Sequence, residues 1–219
     1  MNEVSGVGQE TKTRILDAAE RLMGEEGFDV PLRTITAEAG VNLGAVNYHF
    51  RSKDALLDAI IVRRIAPVNQ RRLEMLDQVE ARYPEGPVPL EDVLEAFFRP
   101  VFEAAGDMTH IRPLIGRIYS TPREFLTRVY ERHLAGVVQR FVPALRRAAP
   151  ELPQQELIWR MHFAVGMMVH VMNWAPILHT VSNGLCEIGD GAGTTARLVA
   201  FASAGFRAAL PHTEKHWNA

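Results

Sequence analysis

Apolar residues recur every three to four positions along most of the 219-residue chain, which is the spacing of one face of an α-helix. The alternation of apolar and polar residues that is typical of β-strands does not compete with this pattern. The sequence therefore predicts an all-α protein of about nine helices. The first helix should begin behind a Thr11 cap and run to about Glu26, with residues 1–10 as a flexible polar arm.

Two short helices joined by a turn at Gly40 are predicted between residues 31 and 50. Gly40 offers the positive φ at which one helix can stop and another can begin at a steep angle. Asn42 would cap the new helix by accepting a backbone N–H of its first turn, and Ser52 would cap the helix after it. Two helices joined in this way are typical of a helix-turn-helix, which presents its second helix to a DNA groove.

The rest of the chain also follows the helical pattern. A long helix should continue from Lys53 to about Arg82, bent at Pro67, and Pro100 should kink or end the helix that begins at Leu90. The next helices are predicted over about 111–119, from the capping box Thr121-Pro122-Arg123-Glu124, over about 157–177 and over about 194–210. The helix over 157–177 is apolar on all sides and the last helix is rich in small residues, which favours an intersubunit bundle of these two.

The N-terminal quarter of the chain resembles the DNA-binding domain of the TetR/AcrR family of bacterial transcriptional regulators. The matching positions are Ile15, Ala18, Ala19, Leu22, Gly27, Phe28, Ile35, Ala39, Gly40, Val41, Gly44, Tyr48, His49, Phe50, Ser52, Lys53 and Leu56. The resemblance implies a helix-turn-helix domain at residues 11–57 and a larger effector-binding and dimerisation domain at 58–219. It further implies a homodimer, held by the last two helices, that a small effector releases from a near-palindromic operator.

The resemblance also implies which side chains contact double-stranded DNA. Arg33 would read a base edge, Thr34 a phosphate, and Lys53 a phosphate from the first turn of its helix. The expected DNA-binding residues are Arg33, Thr34, Asn42, Leu43, Gly44, Ala45, Asn47, Tyr48, His49 and Lys53. Two positions depart from the family. Asn47 replaces a common tyrosine and can read adenine or contact the backbone, while Pro31 lacks the hydroxyl that often caps this helix and reaches a phosphate.

Aromatic residues and methionines are frequent in the C-terminal two thirds, where TetR-like proteins carry an effector cavity. The candidate pocket residues are Phe97, Phe98, Phe102, Met108, Tyr119, Tyr130, His133, Trp159, His162, Phe163, Met167 and His170. Each of these residue types is more often core than ligand wall, and the histidines could contact a ligand or only pack. A cavity of this composition, with sparse polar groups, would suit a largely apolar small molecule.

Charge and cysteine content narrow the class of protein. The net charge of -2 counts against a DNA binder driven by nonspecific charge, so recognition should rest on helix N-termini and a few placed side chains. The single Cys186 excludes an internal disulfide and favours a reducing compartment, hence the cytoplasm. Arg160 and His170 interrupt the most apolar stretch, so no membrane span is expected. The arginines at 63, 64, 71 and 72 should be solvated or paired within the chain.

Other chemistries find weaker support in the sequence. The glycine-rich residues 189–195 lack a Walker lysine and a preceding strand, so they should be an interhelix link and not a nucleotide site. No histidine pair has a recognised metal-ligand spacing, and Cys186 lacks a basic neighbour that would activate it. No convergent acid, base or nucleophile is present, which argues against an enzyme, and no cofactor is expected. A helical protein that binds only small molecules would have no use for the pattern at 42–53.

Overall fold

The computed structural model describes residues 3–104, 123–186 and 191–210. These ranges contain nine α-helices, one π-helical turn and no strand, which confirms the all-α prediction. The elements are α1 (Glu3–Glu26), α2 (Leu32–Ala39), α3 (Leu43–Phe50), α4 (Lys53–Arg82), α5 (Leu90–Glu103), α6 (Arg123–Val129), the π-turn (Tyr130–Leu134), α7 (Ala135–Ala148), α8 (Gln154–Val181) and α9 (Gly191–Arg207). None of these helices is long and apolar enough to cross a membrane.

Several helix ends differ from the sequence prediction. Helix α1 begins at Glu3, so residues 3–10, predicted as an arm, form its first turns. Helix α5 continues past Pro100 to Glu103, because a proline one turn before a helix end removes only one backbone hydrogen bond there. Helix α9 runs over Gly191–Arg207, about three residues earlier than predicted. The helix predicted at 111–119 and its neighbouring cap at 121–122 lie outside the described residues.

Two hydrophobic cores divide the described chain. The first is formed by α1 to α3 and the start of α4, with Ile15, Ile35, Val46 and Leu56 fully buried. The second is formed by α5, α7, α8, α9 and the later part of α4. Helix α4 contributes to both, and Val129 of α6 also packs into the first core. The first core is therefore joined to the second by α4 and by the α6–α7 segment.

The π-turn lies where the α6–α7 segment passes from one core to the other. His133 is held there at both its backbone and its ring by α4. The Nδ2 group of buried Asn69 donates to the His133 carbonyl oxygen at 2.7 Å, and His133 Nε2 lies 2.9 Å from Asp58 Oδ1. Because a π-turn interrupts the regular backbone ladder, a side-chain donor from α4 satisfies a carbonyl group near the break.

The arginines of α4 bind within the chain, as predicted. Arg63 and Arg64 pair with Asp17 and Glu20 of α1, and the Glu20 side chain is only 4% exposed. Arg72 is buried: its Nε donates to the Phe97 carbonyl oxygen at 2.9 Å, and its guanidinium lies 4.3 Å from the centre of the Phe97 ring. These contacts fix α4 against α1 at one end and against α5 at the other.

Candidate nucleic-acid interface

Helix α2 begins without a side-chain cap and ends in a left-handed turn. Pro31 precedes it with φ −65° and makes no capping hydrogen bond, in keeping with the missing hydroxyl noted in the sequence. Gly40 adopts φ +61°, its N–H donates to the Ala37 carbonyl oxygen at 3.2 Å, and the Val41 N–H donates to that of Thr36 at 3.0 Å. This pair of bonds is the Schellman arrangement, which turns the chain sharply toward α3.

Helix α3 begins at the predicted cap. Asn42 Oδ1 accepts the Ala45 backbone N–H at 2.9 Å, and Ser52 Oγ accepts that of Ala55 at 3.1 Å at the start of α4. Gly44 leaves room for the first of these caps, since a Cβ at this position would lie 3.0 Å from Asn42 Oδ1. Both helix starts are thus determined by contacts within three residues.

The two turns of α3 divide into a buried face and an exposed face. Val46 is fully buried and Phe50 is 5% exposed, so these two residues anchor the helix in the first core. Tyr48 is 82% exposed, with the edge of its ring against His49 at a centroid distance of 5.0 Å. An exposed aromatic phenol beside an imidazole, at the end of a capped helix, is available to a partner outside the chain.

The structure brings the ten predicted DNA-binding residues to α2, α3, the cap between them and the first residue of α4. Seven of them are exposed: Arg33, Thr34, Asn42, Leu43, Gly44, Asn47 and Tyr48. The other three are half-buried: Ala45, His49 and Lys53. Their contacts with DNA remain a prediction. Two further arginines lie at the turns around α3. Arg14 contacts the turn before α3 and Arg51 forms the turn after it, and neither position has a signal in the local sequence pattern.

Other arginines of α1 and α4 form ion pairs with carboxylates. Arg21 pairs with Glu25 and Glu38, and the hydrogen bond and charge of Glu38 raise the pKa of its guanidinium. Arg63 and Arg64 are bound to α1 in the same way. Carboxylates thus neutralise several of the positive charges on α1 and α4. A few specific hydrogen bonds are therefore a better basis for DNA recognition than nonspecific electrostatic attraction.

The predicted pocket residues that the structure describes are spread over the second core, the π-turn and the surface of α8. Phe97 and Phe98 are buried in the second core, where the Phe97 ring also meets Phe141 at a centroid distance of 5.2 Å. Phe102 and Met167 are half-buried, His133 lies at the π-turn, and Tyr130 beside it is exposed. Met108 and Tyr119 lie outside the described residues. A void of only about 10 Å³ lies beside Phe97 and Phe141 in this core, far below the size of a ligand pocket.

Four other pocket candidates lie on the exposed side of α8. Trp159 and Phe163 stack at a centroid distance of 5.7 Å and are 49% and 59% exposed. His162 and His170 are exposed on the same helix. The remaining large apolar side chains exposed on α8 and α9 are Ile158, Trp174, Ile177, Leu178, Val181 and Phe201. We call these six residues, together with Trp159, His162, Phe163 and His170, the α8 surface. The sequence pattern does not distinguish the α8 surface from the core, because α8 is apolar on every side.

The fold and the exposed face of α3 define a helix-turn-helix DNA-binding protein. Two family models match the chain. The model described as "Bacterial regulatory proteins, tetR family" matches residues 15–60, and "Tetracyclin repressor-like, C-terminal domain" matches residues 95–205, about half of the chain. The protein therefore belongs to the TetR family of transcriptional regulators, as the sequence resemblance predicts.

Individual relatives agree with this assignment. The HTH-type transcriptional regulator UidR of Escherichia coli K12 is 36% identical over 64 residues, which cover 29% of this chain and 33% of UidR. The match thus spans about a third of the length of that relative. Among solved structures, a transcriptional regulator from Aquifex aeolicus VF5 has a TM-score of 0.55 and 20% identity, covering 89% of this chain and 98% of its own. A TetR-family regulator from Marinobacter aquaeolei VT8 has a TM-score of 0.63 and 15% identity, with coverages of 94% and 98%. The TM-scores show that these two structures share the fold of this chain.

Proposed function

We propose that this regulator is a cytoplasmic, homodimeric repressor that a small, largely apolar effector releases from a near-palindromic operator. The observation that carries the proposal is the geometry of α3, a short helix capped by Asn42 and anchored by Val46 and Phe50. Its opposite face exposes Leu43, Gly44 and Asn47, small or uncharged groups that permit close approach to base edges. Such a helix fits the major groove.

Contacts that read sequence and contacts that bind phosphate would be made by different residues. Arg33 on the exposed face of α2 would hydrogen-bond a base edge, and Lys53 in the first turn of α4 would bind a phosphate. A duplex selected by the wild-type protein from a random-sequence library provides the operator. Arg33→Ala should weaken its binding by roughly 1 to 3 kcal/mol and relax sequence preference at one position.

The matched variant Lys53→Ala should behave differently. It should lower the affinity for the selected duplex and for a random duplex by the same factor. It should also reduce the steepness of log K against log salt concentration by about 0.9, the value for one lost phosphate contact. Fluorescence anisotropy titrations at several salt concentrations measure both effects. Full affinity in both variants would contradict the assignment of these two residues.

Dimerisation through α8 and α9 is supported by the α8 surface. Phe163, Trp174 and Phe201 are each more than half exposed, and large apolar side chains exposed in number on two helices favour an interface with another protein chain. We assign this surface to a second copy of the chain. The exposure of Trp159, His162, Phe163 and His170 favours this role for them over the effector pocket.

A charge on the α8 surface should dissociate the dimer. Phe163→Glu should give a monomer in light scattering. Burying an unpaired carboxylate in the interface is so unfavourable that the association free energy would not offset it. Val62→Glu is the control, since Val62 is an exposed apolar residue in the part of α4 that packs against α1. A dimer that persists in Phe163→Glu would exclude the α8 surface as its interface.

Effector release is tested on the native protein. Native mass spectrometry of the purified dimer should detect a bound small molecule, and adding that molecule to the operator complex should release the DNA. A bound molecule that undergoes turnover would instead indicate an enzyme. Release of DNA without turnover supports a regulator with no catalytic role.

A further inference from the structure

Arg14 of α1 reaches across to the turn between α2 and α3. Its Nη2 group donates to the Ala39 carbonyl oxygen at 2.5 Å and to the Gly40 carbonyl oxygen at 2.9 Å. The last carbonyls of a helix have no partner within the helix, and a guanidinium is favourable at that negative end of the helix dipole. One side chain from α1 therefore binds the end of α2 and the turn residue that follows it.

The backbone bonds of the turn leave these two carbonyls for Arg14. The N–H groups of Gly40 and Val41 donate to the carbonyl oxygens of Ala37 and Thr36, which lie two and three residues before Ala39 in α2. A Cβ at position 40 would lie 2.7 Å from Arg14 Nη2, so the guanidinium occupies the space that a side chain would need. The positive φ at position 40 requires glycine, and a Cβ there would also displace the Arg14 guanidinium from the turn.

This contact lies next to the start of the recognition helix. Only Val41 separates Gly40 from Asn42, the cap of α3, and α3 itself is anchored by just two buried side chains, Val46 and Phe50. A displacement of the turn would thus shift the first residues of α3. We propose that Arg14 is a positioning residue for DNA recognition: it holds the α2–α3 turn against α1 and so sets the placement of α3. The proposal rests on the proposed function of α3.

A second arginine of α1 provides a matched control. Arg21 also links α1 to α2, but through the Glu38 side chain and not through the turn. Arg21→Ala removes an exposed ion pair between the same two helices, and such pairs contribute little to stability. A role in turn geometry therefore predicts a loss of DNA binding for Arg14→Ala that Arg21→Ala does not share.

Arg14 is itself exposed, so a direct phosphate contact is the competing role. Salt dependence separates the two. A phosphate contact contributes equally to every duplex and adds about 0.9 to the salt slope, whereas a misplaced α3 loses contacts with the bases of one sequence only. The experiment compares the wild-type dimer with Arg14→Ala, Arg14→Lys and Arg21→Ala on the selected operator and on a random duplex.

Arg14→Ala should weaken operator binding about 10-fold to 100-fold, leave binding to the random duplex within about 2-fold, and leave the salt slope unchanged. Arg14→Lys should recover part of the loss, because an ammonium can donate to the same carbonyls. Arg21→Ala should match the wild type. Full operator affinity in Arg14→Ala would overturn the proposal, as would equal losses on both duplexes with a lower salt slope.

A measurement without DNA distinguishes failure of this proposal from failure of the proposed function. Hydrogen exchange of the amides at residues 40–46 should be faster in Arg14→Ala than in Arg21→Ala, while exchange in α4 is unchanged in both. If exchange rises but no duplex can be selected, Arg14 holds the turn and the DNA-binding role of α3 fails. If exchange at 40–46 is unchanged, the positioning role of Arg14 is overturned.

Discussion

Arg51 connects α3 to α4 in a conformation that side chains rarely adopt. Its φ is +65° and its ψ is −34°, and its N–H donates to the Asn47 carbonyl oxygen at 3.1 Å. For a residue with a Cβ, positive φ costs of order 1–2 kcal/mol. The capped start of α4 at Ser52 follows at once, so the strained residue lies between two helix ends that are each fixed by their own hydrogen bonds.

At this position glycine should be better than alanine. Arg51→Gly should be more stable than Arg51→Ala by about 1 kcal/mol, because both variants remove the side chain but only glycine relieves the positive φ. The order should reverse at Arg71, an exposed residue within α4, where alanine is the better helix former by about 1 kcal/mol. Urea denaturation of the four variants measures this, and the same order at both positions would contradict strain at Arg51.

Among the elements, α9 approaches the backbone of α5 closely at Gly191. A Cβ at Gly191 would lie 2.7 Å from the Phe102 carbonyl oxygen and 3.0 Å from its carbon. These are backbone atoms, which cannot turn aside as a flexible side chain can. At the other end of α9, buried Arg160 of α8 donates through Nη1 to the carbonyl oxygens of Phe206 at 2.6 Å and Ala208 at 2.9 Å. Helix α9 is thus held at its start by α5 and at its end by α8.

Gly191→Ala should therefore lower the free energy of unfolding by about 1–3 kcal/mol, the usual cost of overpacking. Gly136→Ala in α7 is the matched control, since a Cβ there would meet nothing within 4 Å. That change should leave stability unchanged or raise it by up to about 1 kcal/mol through helix propensity. Thermal or urea unfolding checks the pair, and equal effects would show that α9 does not need this glycine.

The α6–α7 segment shows what periodicity alone cannot reveal. Its apolar residues predict one helix, yet Val129 packs into the first core and Val137 into the second. The π-turn lies between them, held by Asn69 and Asp58 of α4. The need for a break there arises from the placement of two cores, which no window of a few residues contains.

For the whole molecule, an ion pair between α5 and α9 couples packing to pH. Arg207 Nη1 and Nη2 lie 2.5 Å and 2.9 Å from the two carboxylate oxygens of Glu91. The hydrogen bond from Arg207 holds the pKa of Glu91 below its ordinary value of 4.5. Because the pKa is lower in the folded state, the pair stabilises the fold fully above the ordinary value, and this contribution is lost as pH falls through the lowered pKa.

Glu91→Gln should therefore be less stable than the wild type at pH 7, and the difference should shrink as pH falls below about 4.5. Urea denaturation of both proteins at pH 7, 5 and 3 measures it. Glu74→Gln is a useful control, since the partners of Glu74 among the described residues, Gln70 and Arg71, belong to its own helix. A difference for Glu91→Gln that does not change with pH would exclude a role for its charge.

The sequence by itself determined the features that depend on near neighbours. The helices follow from apolar spacing, and the caps at Asn42 and Ser52 and the turn at Gly40 follow from contacts within about three to five residues. The resemblance of residues 11–57 then carried the family. These features were predictable because a cap or a turn is formed by the residues that encode it.

Only the tertiary structure decided which side of α8 faces outward and which carbonyls the arginines bind. Helix α8 is apolar all round, so its sequence does not indicate that Phe163 is exposed while Leu157 is buried. Arg14 and Arg72 each bind carbonyls at least 25 residues away, and Arg160 binds one 46 residues away. Such partners are brought together by the packing of helices that are far apart in the sequence. Local residue patterns therefore cannot predict which of them come into contact.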